Sequence, residues 1–149
     1  MKHKVAGRQL GRNHHQRQSL FRIQARAMFT HGKIETTEAK AKAVLPLVEK
    51  LCRFAQKADL SSRRRLFAVF QNKRFVNLLV KAVAISFKDV HMNFTKIIKI
   101  KRRQGDDALI VRLSFVRPYQ LNPPAVSQKK ETKETKKVKE VKEVKKKTK

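Results

Sequence analysis

The sequence predicts an α+β domain of two layers, with helices packed on one face of a small sheet and elements in the order α-β-α-α-α-β-β. Three observations lead there. From residue 14 to about 88, apolar residues recur at the three- and four-residue spacing of amphipathic helices. From about 94 to 117 the period shortens to two, in β-branched runs on either side of a glycine. Beyond Pro118 and the pair Pro123-Pro124, the closing stretch KKETKETKKVKEVKEVKKKTK holds only Lys, Glu, Thr and Val. Such a composition cannot offset the entropy of ordering, so disorder is expected there. The chain therefore divides into a basic arm (1–13), a globular domain (14–117) and a disordered Lys/Glu-rich tail (118–149).

The arm carries Gly7 and Gly11 among scattered Lys and Arg, with few apolar residues, and is expected to be extended. Asn13 suits the N-cap of a first helix reaching about Thr30. On that helix Leu20, Phe21, Ala27 and Met28 share an apolar face, and His15, Ser19, Arg22 and Arg26 the opposite, basic one. KIETT reads as a short extended piece, with Thr36 or Thr37 capping the next helix and Glu38 in its favourable first turn.

Val44, Leu47, Val48, Leu51, Phe54, Ala55 and Ala58 keep the helical period through the second helix, and Pro46 predicts a kink or two pieces near Leu45. Ser61 or Ser62 can cap a short helix containing Leu66, Phe67, Val69 and Phe70. Phe75, Leu78, Leu79, Ala82 and Val83 form the stripe of the last helix. The two strands meet at RRQGDD, where Gly105 turns the chain, and Leu109, Val111, Leu113 and Phe115 alternate toward the helices.

Charge narrows the function classes. With 38 Lys and Arg against 11 Asp and Glu in 149 residues, the formal net charge is +27. Self-repulsion on that scale calls for an anionic partner, and nucleic acid supplies one through counterion release. No apolar run approaches the roughly 18–20 residues of a membrane span. The N-terminus lacks the apolar core of a signal peptide, and its Gly content and low Ser content disfavour an organellar transit peptide. Cys52 stands alone, which excludes an internal disulfide and a multi-cysteine zinc site and suits a reducing cytoplasm.

Catalytic chemistry is poorly represented. Glu38 is accounted for by its helix N-terminus, and Asp106 and Asp107 by a turn, so neither the Glu35/Glu38 nor the Asp106/Asp107 pair reads as an acid–base dyad. The histidines lack the Cys or acid partners of a zinc site, and neighbouring cations would repel a divalent metal. Cys52 falls on the apolar side of its helix, as a structural thiol does. No cofactor, metal or small-molecule substrate is expected. Binding chemistry is better represented: GRQLGR pairs glycines, which permit close backbone approach, with Arg forks suited to phosphate. Arg63, Arg64 and Arg65 near a helix start oppose the helix dipole unless an anion lies there. Phe21, Phe29 and Phe94 could stack bases but fit core positions equally well.

MKHKVAGRQLGRN, then Arg17 and Arg22, IETTEAKAKAV, Arg63-Arg64 and FTKIIKI…RQGDDA, in this order, resemble the bacterial large-subunit ribosomal protein seventeen family from Met1 to about Val116. The resemblance implies a cytoplasmic, monomeric component of the large subunit. It would bind 23S rRNA near the polypeptide exit region beside neighbouring large-subunit proteins, without catalysis. It assigns rRNA contacts to Lys2, His3, Lys4, Arg8, Arg12, Arg17 and Arg22, and to Lys40, Lys42 and Arg103. Arg26, Arg63, Arg64 and Lys96 complete the basic set, Lys96 standing where the family has Arg. Gly7 and Gly11 would let the arm lie close to RNA, Thr36 and Thr37 set a helix start, Gly105 turns the hairpin and Asp106 fixes that turn. Met92-Asn93 replaces the family's Gly-Gly, and Ile85-Ser86 its Pro-Arg. The competing class is a histone-like or nucleoid DNA-binding protein, which would more often show a groove-reading helix and dimer symmetry.

Overall fold

A computed structural model describes residues 7–121, so Lys2, His3, Lys4 and the tail from residue 122 lie outside the described residues. The elements are α1 (His14–His31), β1 (Lys33–Thr37), α2 (Glu38–Lys57), α3 (Leu60–Phe70), α4 (Lys73–Ser86), β2 (Thr95–Arg102) and β3 (Leu109–Phe115). Both the class and the order match the expectation from sequence.

Helix α1 starts at Asn13, whose backbone N–H donates to Gln16 Oε1 at 3.4 Å. It stops at Gly32, which is left-handed at φ 73° and bonds back to the Met28 carbonyl at 2.8 Å. That conformation favours glycine, and a Cβ there would also crowd the Tyr119 carbonyl oxygen at 3.2 Å. The buried stripe is Ala25, Met28 and Phe29, flanked by half-buried Phe21. This face is rotated from the expected one, leaving Leu20 and Ala27 only half-buried. A polar residue masks the pattern: half-buried Gln24 lies in the stripe and donates to Thr36 Oγ1 at 3.3 Å.

Helix α2 is one element through Pro46, which overturns the two-piece alternative of the expectation near Leu45. Proline removes one backbone donor, but Ala41, Val44, Val48, Leu51, Cys52 and Ala55 are all buried along the opposite side. That continuous apolar stripe outweighs a single lost hydrogen bond. Asp59, and not Ser61 or Ser62, holds the N-cap position of α3, without a side-chain capping bond; Ser62 is inside the helix and 4% exposed. Helix α4 buries Phe75, Val76, Leu79, Val80, Ala82 and Val83, while Leu78, expected in the stripe, is exposed.

The sheet is antiparallel with order β1-β3-β2. On β3, Val111, Leu113 and Phe115 are buried against the helical layer, as the alternation anticipates. Ile97 and Thr95 of β2 lie beside Leu113 and Phe115 on this side. A register shift between Lys99 and Lys101 then releases the strand end toward the β2–β3 turn.

Two polar residues tie the layers together. Glu49 of α2 accepts from the backbone N–H of Phe94 (3.2 Å) and Thr95 (3.0 Å), and from the Thr95 hydroxyl (2.7 Å). Gln56 donates to the carbonyls of Phe87 (2.7 Å) and Val90 (2.6 Å), holding the chain where α4 ends. Asn93, where the resembled family has glycine, is left-handed at φ 57°.

The core also takes in Tyr119 and half-buried Leu121, beyond the boundary expected at 117. Tyr119 completes an aromatic cluster, its ring 4.7 Å from Phe115, 6.1 Å from Phe87 and 6.2 Å from Phe29. Such pairs add about 0.5–1.5 kcal/mol each beyond their buried area. Phe29 and Phe94, weighed as base-stacking candidates, are both fully buried.

Candidate nucleic-acid interface

The interface is best approached through its missing counter-charges. Among the described residues the ion pairs are Lys42–Glu38, Arg102–Asp107, Arg103–Asp106 and Arg112–Glu35. Glu49 is occupied by β2 backbone and the Thr95 hydroxyl. Most acids in residues 7–121 are thus already partnered, and most Lys and Arg have no internal anion. Their charge is directed outward.

The described part of the arm is turned and not simply extended. Gly7, Leu10 and Gly11 have positive φ (105°, 55° and 60°), and Arg12 N–H closes onto the Gln9 carbonyl at 3.2 Å. Arg12 donates to the Leu10 carbonyl at 2.8 Å, and Arg17 reaches the Arg12 carbonyl at 3.2 Å. These bonds fold the arm's base onto the start of α1. Arg8 and Arg17 line a cleft with Lys42, floored by Phe21, Ala43 and Pro46. Three residues expected at the site therefore converge from the arm, α1 and the first turns of α2.

The remaining expected residues divide by role. Arg22 and Arg26 are exposed on α1, Arg26 with its guanidinium 5.5 Å from the Phe75 ring centre. Lys40 is half-buried in the first turn of α2, which Thr37 precedes as N-cap; Thr36 stays in β1. The Lys42 hydrogen bond and charge hold the Glu38 carboxyl below its ordinary pKa, with Lys99 and Arg8 adding to the effect. Arg63 is engaged internally, donating to the Ala58 carbonyl at 3.0 Å and Asn77 Oδ1 at 3.4 Å, while Arg64 is exposed. Because α3 begins at Leu60, Arg64 and Arg65 lie past its first turn, and the dipole argument for an anion at that end loses force.

Lys96 is exposed and pairs in register with Ser114 on the sheet side away from the core. Arg103 is committed to the turn: Nε meets Asp106 Oδ1 at 2.9 Å and Nη2 meets Oδ2 at 2.5 Å. That pair holds Asp106 down to a pKa of about 2. Gly105 turns the chain at φ 103°.

A second basic cluster is absent from the sequence-based set. Lys50, Arg53 and Lys57 line a groove between α2 and α3 with Leu45, Pro46, Glu49, Phe54 and Arg65. The Arg65 guanidinium stands 5.1 Å from the Phe54 ring centre, with Lys50 Nζ 5.9 Å from it. The i, i+3, i+7 spacing of Lys50, Arg53 and Lys57 was visible, but only packing brings Arg65 beside them.

Neither a metal-ligand cluster nor a helix able to cross a membrane occurs among the described residues. Burial pushes the Cys52 thiol far above its ordinary pKa, leaving it unsuited to act as a nucleophile.

Comparison with known proteins decides the family. The model of the family described as "Ribosomal protein L17" matches residues 20–116. The chain belongs to the ribosomal protein L17 family. Its similar relatives include a "Large ribosomal subunit protein bL17" from Campylobacter jejuni subsp. doylei, 41% identical over 116 residues, covering 78% of this chain and 99% of the relative. A protein of the same name from Persephonella marina is 42% identical over 118 residues, covering 78% and 95%. Another from Rubrobacter xylanophilus is 40% identical over 116 residues, covering 78% and 96%. The L17 family model thus takes in α1 from its seventh residue onward and every later element, while the arm cleft draws Arg8 and Arg17 from ahead of it.

Proposed function

We propose that this protein is a structural constituent of a bacterial-type large ribosomal subunit, holding 23S rRNA by phosphate contacts in the cytoplasm, without catalysis. The carrying observation is similarity over 78% of this chain and nearly the whole of proteins named for the large subunit, on a chain whose described surface cations mostly lack internal partners. The arm cleft suits the role: Arg forks and a Lys converge where glycines let RNA approach the backbone. Lys2, His3 and Lys4 extend the same basic arm, and Arg12, Arg22, Arg26, Lys40, Arg64 and Lys96 add phosphate contacts around the domain. Lys42, Arg63 and Arg103 take part only by exchanging or sharing their internal partners, Lys42 from its ion pair with Glu38. The resemblance adds a position near the polypeptide exit region, beside other large-subunit proteins.

The test is sucrose-gradient fractionation of cells carrying the tagged full-length chain. The protein should comigrate with the large subunit, and its absence from that fraction would overturn the assignment. Affinity for a 23S rRNA fragment should exceed that for equal-length duplex DNA at matched salt. A preference for DNA would favour a nucleoid protein instead.

A further inference from the structure

Helix α2 carries a basic stripe opposite its buried face. Lys42, Pro46, Lys50, Arg53 and Lys57 follow at intervals of four, four, three and four residues, which align them along one side of the helix. The buried residues Ala41, Val44, Val48, Leu51, Cys52 and Ala55 occupy the other side. Pro46 lines both the arm cleft and the α2–α3 groove, so the two depressions adjoin. Arg53 and Lys57 also line a third depression with Lys88 and His91. Cations thus continue from Arg8 and Arg17, through Lys42, to Lys50, Arg53, Lys57 and Arg65, and on to Lys88.

Glu49 is the carboxylate lining the central groove, and its oxygens accept bonds from Phe94 and Thr95. Beside Arg65, Phe54 provides a flat apolar support that orients the guanidinium.

We infer that this stripe is a phosphate-backbone track for one RNA strand, continuous with the arm cleft. The inference rests on the proposed rRNA-binding role and extends it to Lys50, Arg53, Lys57 and Arg65. From Lys42 to Lys57 the helix rises about 22 Å at 1.5 Å per residue. That length accommodates several successive phosphates of one strand. Cations at three- and four-residue intervals suit repeated phosphate contact, which carries no sequence information by itself. Its occupant is RNA backbone because cations outnumber carboxylates along the stripe and both nearby carboxylates are engaged, Glu49 by β2 and Glu38 by Lys42; an acidic protein segment is the alternative that the test can reveal.

The experiment compares the full chain with K50Q/R53Q/K57Q, and with a control, R74Q/K81Q/K101Q, that removes equal charge elsewhere. The probe is protein-free 23S rRNA, titrated from 50 to 300 mM salt, with circular dichroism checking that each variant is folded. Loss of three phosphate contacts should flatten the slope of log K against log salt by about 2–3. Affinity at 100 mM salt should fall at least tenfold, with the control within threefold of wild type. R65Q, which keeps Phe54, should show a smaller loss in the same direction.

Wild type binding with a steep slope that the α2 triple variant leaves unchanged would overturn the track and leave the rRNA-binding role standing. Equal losses in both triple variants would also overturn it, showing a net-charge effect only. Failure of wild type itself to bind would remove the functional reading and the track with it. Retained RNA affinity in the α2 variant, with loss of a Glu-rich peptide bound by wild type, would reassign the stripe to a protein partner.

Discussion

Glu49 and Asp106 show how differently two carboxylates are used in so basic a protein. Glu49 projects from α2 and holds the start of β2 through three accepted hydrogen bonds. Truncation would strand two part-buried backbone donors, so Glu49→Ala should cost about 2 kcal/mol, read as a lower urea midpoint. Glu49→Gln, which keeps one acceptor oxygen, should lose clearly less; an unchanged midpoint for the alanine variant would show that water replaces the carboxylate freely. Asp106 instead fixes an exposed turn. Arg103's hydrogen bond lowers its pKa from 3.8 to about 2, and the Ala108 N–H contributes. Because the folded value is depressed, the stabilisation is present above the unfolded pKa and is lost as pH falls through the folded one. Wild type should therefore lose stability relative to Asp106→Asn between about pH 4 and pH 2, seen as a narrowing gap in urea midpoints. A gap constant across that range would contradict the pair's role. The same pair explains a residue that sequence could not resolve: Arg103 looks like an RNA ligand by motif, while its fork is filled by a neighbour three positions away.

At the scale of elements, Pro46 is the clearest departure from local rules. It sits exposed within a continuous helix and removes the N–H that would meet the Lys42 carbonyl. Pro46→Ala should restore that bond. Interior proline costs about 3 kcal/mol relative to alanine, but its stiffening of the unfolded chain returns about 0.4–1 kcal/mol, and local relaxation absorbs more. A net gain of about 1–2 kcal/mol is expected, read as a melting temperature several degrees higher. A lower melting temperature would show that the ring's packing matters more than the missing bond. Elements with strong periodicity were legible: α4, the later part of α2 and the β2–β3 hairpin all follow from spacing and Gly105. The α1 face was not, because half-buried Gln24 interrupts its stripe while Ile23, an apolar residue, is 66% exposed. The start of α3 was misplaced for a chemical reason: Ser61 or Ser62 was expected as the cap, whereas Asp59, a residue type equally suited to that position, precedes the helix. The site divides similarly. Motifs marked Arg8, Arg17 and Lys42, which do converge, but Arg65 reaches the α2 stripe only through helix packing, and a cation run on a helix otherwise reads as ordinary solvated surface. Tyr119 was missed because Pro118 looks like the end of folded structure, whereas the aromatic cluster recruits the very next residue.

For the molecule as a whole, the governing quantity is a formal net charge of +27. A compact domain of this size has a radius of gyration near 13 Å. At 0.01 M salt the Debye length is about 30 Å, so cations on all sides repel one another; at 0.15 M it is about 8 Å and only neighbours do. The RNA-free protein should consequently melt several degrees higher at 300 mM than at 10 mM sodium chloride. RNA should reverse the dependence. At 10 mM salt a saturating structured RNA should raise the melting temperature, because it binds the folded state and neutralises the same repulsion. As salt rises, counterion release becomes less favourable and binding weakens, so the two melting curves should converge. Differential scanning fluorimetry with and without RNA across a salt series measures both trends. A free-protein melting temperature that is flat or falling with salt would show that attraction within the surface ion pairs, Arg112–Glu35 among them, outweighs the net repulsion. Convergence without the low-salt gain would place RNA binding on a state other than the folded one. The opposing slopes connect composition to function: the charge excess that burdens the isolated fold becomes stabilising once a polyanion lies against it.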